Sequence, residues 1–215
     1  MKFNFNSPLM DFLNTTAQYI ALNIVFLLCC VPIITIGPAI AALYQVTLRE
    51  IRGEHGYLIR KFFQHFKEMF LQSFFTFLLL LAVVLILLYN IAFWNGLGST
   101  LSNIIIVLLS LLLLIAACIV IYVFPLMARF NNGFIQTIKN AFFIALTNPK
   151  STIFLLVIHA LVVFVIIIFP PSKVFMLLIG FSFIAYCNSY LLNKVFKKYE
   201  AQEDGDHADQ KVSEL

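Results

Sequence analysis

Acidic side chains are scarce through most of this chain. Only four of the ten Asp and Glu residues lie in the first 198 positions, where thirteen Lys and Arg residues give a net charge of +9. Charged residues make up 11% of the sequence and hydrophobic residues 62%, with a mean hydropathy of +0.98. An ordinary soluble domain carries about a quarter charged residues. The shortage therefore excludes a soluble globular protein, and contact with anionic lipid explains the basic balance better than nucleic-acid binding does.

Residue patterns typical of catalysis, metal binding and phosphate binding are also missing. Cys29 and Cys30 are adjacent, while Cys118 and Cys187 are isolated, and all four lie in apolar runs, so neither a disulfide framework nor a zinc cluster is indicated. The turn at 96–98 has two glycines but lacks the third glycine or lysine of a phosphate loop. We therefore expect no enzyme, no cofactor and no metal.

Long apolar runs dominate what the sequence does contain. A helix needs about 20 apolar residues to cross roughly 30 Å of hydrocarbon. Four runs meet this length: Phe74–Trp94, Leu101–Met127, Thr152–Phe169 and Val174–Leu192. They predict an all-α, polytopic helical membrane bundle.

A fifth apolar run, Ala17–Leu48, is interrupted by Pro32, Gly37 and Pro38. The two prolines remove two backbone donors, so the helix must kink or stop there. A kink gives one broken span, five spans in all and an external N-terminus. A reversal gives six spans and an internal N-terminus. We favour the kink, because the two pieces are short for two full crossings.

Basic residues collect on one side of these spans. Twelve of the fourteen Lys and Arg residues fall in the segments 49–73 and 128–151 or after Leu192, and only Lys2 and Lys173 fall elsewhere. The positive-inside rule then predicts a multi-pass protein of the cell membrane with a cytoplasmic C-terminus. Residues 1–198 are interpreted as a single transmembrane domain, and residues 199–215 as a disordered, acidic cytoplasmic tail.

Each basic loop contains an amphipathic pattern that leads into the next span. Leu58, Phe62, Phe66 and Met69 recur at helical spacing in the first loop, and Ile138, Phe142 and Leu146 form a stripe in the second. Two cytoplasmic elbow helices are predicted, and the repeated order of span, elbow and span suggests an internal duplication. The candidate contacts for lipid headgroups or a docked partner are Arg60, Lys61, Lys67, Arg129 and Lys139.

Polar residues within the spans are the candidates for a ligand site or for contacts between helices. Buried polar groups are costly in a membrane and usually face the bundle interior, and an unwound segment exposes backbone carbonyls. The candidate set is Asn23, Pro32, Gly37, Pro38, Gln45, His159 and Asn188.

Several segments together resemble a known family. They are 32–39 with Ala42-Leu43-Tyr44, 63–67, 122–130 and Lys139-Asn140-Ala141. The chain resembles the YesL-like proteins of Gram-positive bacteria, a family defined by a domain of unknown function, over most of residues 14–198. The resemblance implies a small polytopic protein associated with carbohydrate uptake and supplies no catalytic residues.

Two functions follow as hypotheses. The first is a non-enzymatic accessory or regulatory subunit, partnered with the bilayer and with a sugar transport complex. The second is a small homo-oligomeric transporter or channel with its site at the broken first helix. The sequence does not identify a substrate, the partner or the oligomeric state.

Overall fold

The computed structural model describes the backbone of residues 8–54, 56–130 and 132–213, and the side chains of residues 13–54, 56–130 and 132–200. The helices in chain order are α1 (Pro8–Cys30), α2 (Ile36–Ile51), α3 (Leu58–Glu68), α4 (Phe70–Leu97), α5 (Thr100–Arg129), α6 (Phe134–Thr147), α7 (Pro149–Ile168), α8 (Ser172–Phe175) and α9 (Phe181–Ser213). A 3₁₀ turn, Ile33–Thr35, precedes α2, and a π-helical segment, Met176–Gly180, joins α8 to α9. These ranges contain no strand, which confirms the all-α class.

Five helices in the described part are long and apolar enough to cross a membrane. They are Leu13–Cys30, Phe70–Leu97, Thr100–Arg129, Pro149–Ile168 and Ser172–Glu200. Their outward faces expose large apolar side chains such as Leu71, Val107 and Ile167. Apolar outer faces of this extent suit a helix that packs against lipid, so a helical membrane bundle is confirmed.

The predicted break at Pro32–Pro38 and the predicted five spanning helices are confirmed, but the chain reverses its direction at the break instead of kinking. Tyr19 and Glu50 line the same cavity, and Leu22 packs in one cluster with Val46, so α2 runs back along α1. The Thr35 hydroxyl donates to the Cys29 carbonyl at 2.6 Å and contacts the Pro32 carbonyl at 2.7 Å, which closes the turn. The start of α1 therefore lies at the same end of the bundle as the loop after α2.

The kink was favoured on the assumption that, after a reversal, α2 would have to cross the whole hydrocarbon layer by itself. α2 has 16 residues, roughly 24 Å of helix, and nine of them are buried. It packs within the bundle between α4, α5 and α9. A helix surrounded by protein need not match the thickness of the hydrocarbon.

Gly37 lets the start of α2 lie directly against α4. A Cβ at this position would stand 2.5 Å from the Phe77 Cβ and 2.6 Å from the Ser73 carbonyl oxygen. Only a glycine permits this approach of two helices, which is a common device in membrane bundles.

The two predicted amphipathic elbow helices are α3 and α6. Each follows a helix of the core and precedes a long apolar helix, so α2–α3–α4 and α5–α6–α7 repeat one order of elements. In α3 the buried side chains are Leu58, Phe62 and His65. In α6 they are Thr137, Ala141, Ile144 and Ala145. Of the predicted α6 stripe, Ile138 packs against the core, whereas Leu146 is 60% exposed.

The charged loops lie together at one end of the bundle. We call it the basic end and define it by residues 49–54, 56–58, 129–130, 132–133 and 193–200. Arg129, almost fully buried, pairs there with Glu200. The helix α9 continues past Lys198 to Ser213, so the predicted boundary at residue 198 falls inside a helix. The side chains of 201–215 lie outside the described residues, and the disorder of that tail stays a prediction.

Candidate functional site: a polar seam and a groove beside the last helix

A line of buried polar side chains runs along α9, and we call it the polar seam: Ser182, Asn188, Ser189 and Asn193. The first three are completely buried. Their partners lie on α1, α2 and α5, so the seam joins the last helix to three earlier helices.

Asn23 of α1 clamps the π-helical segment at the start of the seam. Its amide nitrogen donates to the carbonyls of Met176 (3.1 Å) and Leu177 (2.9 Å). Its amide oxygen accepts from the Ser182 backbone N–H at 3.0 Å. The side chain thus bridges a carbonyl and an N–H five residues apart, the spacing of a π-helical hydrogen bond. Asn23 acts here as a structural contact between helices.

The middle of the seam joins α9 to α2. Thr47 and Ser189 share a hydroxyl contact of 2.7 Å, and the Asn188 amide donates to the Tyr44 hydroxyl at 3.3 Å. Two buried acceptors remain without a hydrogen-bond partner within the described residues, namely Asn188 Oδ1 and Gln45 Oε1. Unsatisfied buried acceptors are uncommon and indicate a site where water or a ligand group could bind.

A groove with two lobes lies between α1, the end of α2 and α9, and Thr15, Tyr19 and Glu50 line both lobes. The apolar lobe has a volume of about 640 Å³, and its remaining lining is Thr16, Phe175, Ile179, Phe183 and Tyr186. The polar lobe has a volume of about 620 Å³, and its remaining lining is Asn14, Gln18, Gly56, Tyr57 and Leu58. The Tyr19 hydroxyl is buried and has no hydrogen-bond partner in the described part of the chain.

The basic end is held by a chain of ionic contacts. Arg129 donates to both carboxylate oxygens of Glu200 at 2.7 Å and to Asn193 at 3.1 Å. Arg49 pairs with Glu54 at 2.8 Å and contacts His65 Nε2 at 3.2 Å.

The ionic contacts continue in α3, where His65 and Glu68 lie about one helical turn apart. His65 Nδ1 lies 2.9 Å from Glu68. Hydrogen bonds from Gln64 and His65 hold the pKa of Glu68 below its ordinary value. Burial, with the repulsion of Arg129 next, lowers the pKa of Arg52. Neighbouring positive charges are therefore packed closely here and are balanced by carboxylates.

The predicted docking cations divide into two groups. Arg60, Lys67 and Lys139 are exposed on α3 and α6. Lys61 is half-buried and donates to the Glu54 carbonyl at 2.5 Å. The Arg129 side chain is only 4% exposed, so it forms contacts inside the basic end and is not presented outward. Three of the five cations are therefore presented outward.

The predicted polar site residues are not brought together as one set. Asn23 and Asn188 lie on the seam, while His159 lies apart on α7, where its Nδ1 bonds the Leu155 carbonyl at 2.8 Å. His159 lines an apolar groove between α4, α5 and α7. Pro32, Gly37 and Pro38 lie at the opposite end of the bundle from the charged loops, and the Thr35 hydroxyl occupies the carbonyls of Cys29 and Pro32.

Residues 19–91 match the family model described as "Protein of unknown function, DUF624". This stretch is a DUF624 domain. DUF624 is the domain of the YesL-like proteins, so the family resemblance is confirmed. The DUF624 match begins at Tyr19 in α1 and ends within α4. Neither a curated protein nor a solved structure matches the chain.

Sequence reasoning missed the groove because its parts come from three distant segments. In the sequence, Glu50 is one of four acidic residues spread over the first 198 positions, and Tyr19 lies in an apolar run. Tyr186 and Ser182 could be recognised as polar groups within a span, but no sequence signal connects them with Tyr19. Within the described residues, no three His, Cys, Asp or Glu side chains come together as a metal site would require.

Proposed function

We propose that this chain is a non-enzymatic accessory or regulatory subunit of the cell membrane whose short helices α3 and α6, which begin at the basic end, dock a partner complex. The observation that carries the proposal is the outward presentation of Arg60 and Lys67 on α3 and of Lys139 on α6. Both helices are short and amphipathic, and both are fixed to the bundle by their apolar faces. A fixed array of cations favours an acidic partner surface.

The rigidity of α3 supports a docking role over a merely solvated charged face. Phe62 is completely buried beneath the helix, and His65, 5% exposed, is held between Arg49 and Glu68. Cations on a fixed scaffold lose less conformational freedom on binding than cations on a mobile loop.

The nature of the partner is inferred from the family and from charge. The resemblance to the YesL-like proteins points to a sugar transport complex, and the excess of positive charge in the loops points to the cytoplasmic face. The partner surface is accordingly expected to be acidic and cytoplasmic, next to the membrane.

The proposal can be tested with charge-reversed variants and a matched control. The triple variant Arg60→Glu, Lys67→Glu and Lys139→Glu should lose co-purification of the sugar transport complex in mild detergent. Lys173→Glu reverses one exposed lysine outside the basic end and should retain it. Recovery of the wild-type chain alone, or full retention by the triple variant, would contradict the proposal.

The second candidate, a homo-oligomeric transporter or channel, is favoured by one observation. Asn188 Oδ1 and Gln45 Oε1 are buried acceptors without a hydrogen-bond partner in the described part of the bundle, and polar groups inside membrane helices often mark a solute path. Solute flux into liposomes that falls on Asn188→Leu substitution would support transport. Liposomes with no flux above empty controls would exclude it.

A further inference from the structure

We propose that His65 makes the attachment of α3 to α2 depend on pH: the neutral imidazole holds the two helices together, and its protonation releases α3. The inference deepens the proposed docking function, because α3 carries Arg60 and Lys67, and it rests on that function for its biological consequence. The release itself rests on the contacts of His65 alone.

The contacts of His65 fix the protonation state of its ring. Nε2 lies 3.2 Å from Arg49 Nη1, and Nδ1 lies 2.9 Å from a carboxylate oxygen of Glu68. A guanidinium group can only donate a hydrogen bond, and an ionised carboxylate can only accept one. Nε2 must therefore be the acceptor and Nδ1 must carry the proton, so the ring is neutral in this arrangement.

A second proton on the ring would have to bind at Nε2, where Arg49 now donates. The resulting imidazolium could not accept from Arg49, and two cations would face each other at hydrogen-bond distance. His65 is only 5% exposed, so little water is present to screen them. Protonation therefore favours an arrangement in which Arg49 and the ring have moved apart, which opens the contact between α2 and α3.

Glu68 does not oppose this release, because it belongs to the same helix as His65. The two residues lie three positions apart in α3, so their contact does not depend on α2. The attraction between Glu68 and a protonated ring contributes to the attached and to the released helix. The two arrangements differ in the contact with Arg49, which only the neutral ring can make.

The other elements packed against α3 bring no competing switch. These elements are α1, α2 and α4. The described side chains of α1, residues 13–30, and those of α4 include no Asp, Glu, Lys, Arg or His, and their titratable groups are tyrosines and cysteines. The charged groups at the end of α2, in the loop after it and on the preceding turn of α3 are Arg49, Glu50, Arg52, Glu54 and Lys61. Histidine is the side chain whose charge ordinarily changes between about pH 5 and 8.

Release would loosen the helix that presents Arg60 and Lys67. α3 has 11 residues, and its buried side chains are Leu58, Phe62 and His65. So short a helix depends on its packing rather than on its own hydrogen bonds. Docking should therefore be strongest at neutral pH and should weaken as the pH falls through the range in which histidine titrates.

The release can be measured without a partner, by hydrogen–deuterium exchange of the α3 amides in the full chain in detergent micelles. His65→Gln is the reference, because its amide can accept from Arg49 and donate to Glu68 at every pH. Comparing the two proteins at the same pH cancels the intrinsic exchange rates. Protection of α3 in the wild type, relative to His65→Gln, should fall about fivefold between about pH 7.5 and about pH 5.5. An unchanged ratio would overturn the proposal.

Two arginine variants locate the effect, each compared with the same variant carrying His65→Gln. Arg49→Met removes the cation that faces Nε2, so the pH dependence of α3 protection should largely disappear. Arg52→Met is the matched control, because Arg52 follows the same helix and pairs with Glu54 at 3.0 Å, and it should keep the pH dependence. Full pH dependence in Arg49→Met would overturn the proposal. If His65→Gln fails to fold, the wild type and Arg49→Met are compared directly at each pH.

The exchange experiment also separates this switch from the docking function. It uses the chain alone, so failure to recover a partner leaves its result unaffected. Where a partner is captured at about pH 7.5, capture by the wild type should weaken about fivefold at about pH 5.5, whereas His65→Gln should retain it. Equal loss in the two proteins would contradict the link between His65 and docking.

Discussion

Replacing Asn23 with leucine should destabilise the bundle by about 2–3 kcal/mol. Asn23 is fully buried and makes three hydrogen bonds to the backbone of the π-helical segment and of α9, with donor–acceptor distances of 2.9 to 3.1 Å. Hydrogen bonds between membrane helices contribute about 0.6–1 kcal/mol each, which gives the sum. Leucine has a similar size, so the change removes the polar contacts with little loss of packing.

How much of this free energy is lost depends on whether the π-helical segment can form new hydrogen bonds after the substitution. Without the amide, the Ser182 N–H and the carbonyls of Met176 and Leu177 must find partners within α9 or remain unsatisfied. If the segment rearranges to a regular α-helix, the hydrogen bonds are recovered, but the register of α8 shifts by one residue. Either outcome differs from the wild type in stability or in structure.

The free energy of unfolding can be measured by titrating the protein in mixed micelles with sodium dodecyl sulfate. Asn90→Leu is the matched control, because the hydrogen bond of the Asn90 amide within the described residues is to the Ile86 carbonyl of its own helix. Its cost should stay below about 0.5 kcal/mol. If Asn23→Leu unfolds within about 0.5 kcal/mol of the wild type, the clamp does not stabilise the bundle and the reasoning is refuted.

Three further changes test other parts of the structure. Glu200→Ala should lower the unfolding free energy by about 2 kcal/mol, because it leaves the buried Arg129 without its carboxylate, while Glu200 itself is partly solvated. Glu54→Ala, at an exposed carboxylate, should cost clearly less in the same titration. Gly37→Ala should cost about 1–3 kcal/mol because its Cβ would overlap α4, whereas Gly96→Ala, with open space around it, should be neutral; equal thermal midpoints for the two would contradict the close approach. The pKa of Glu68 is depressed in the folded chain, so its stabilising contribution is present at neutral pH and is lost as the pH falls through that lowered pKa. Thermal unfolding from about pH 6 down to about pH 3 should therefore show a weaker acid dependence in Glu68→Gln, and parallel curves would refute this contribution.

The spans could be predicted from the sequence because the hydrophobic length of a span depends on that segment alone and not on its contacts with other segments. Phe74–Trp94 was expected and Phe70–Leu97 is observed, a difference confined to the ends. The direction of the chain after Pro32 could not be predicted in this way. Prolines mark where a helix stops, but the angle that follows depends on packing, here of Gly37 against Phe77.

The face of α6 that packs on the bundle could not be predicted from its apolar stripe. In water, the more apolar face of a helix is the buried one, but here Ile138 packs against the core while Leu146 is 60% exposed. In a membrane the outer face is also apolar, so bundle contacts are better marked by small residues such as Ala141 and Ala145. The π-helical segment has no comparable signal in the sequence.

The polar contacts of the DUF624 domain explain why the last helix matters to it. The match ends in α4, yet Asn23 and Thr47, both inside it, bond to groups on or just before α9 that lie 142 to 159 residues away. A chain that stopped after α4 would leave these buried groups without partners in a medium that offers none. The same helix supplies one wall of the groove and the Glu200 partner of Arg129. A movement of α9 would therefore change the contacts of the polar seam, the groove and the basic end together.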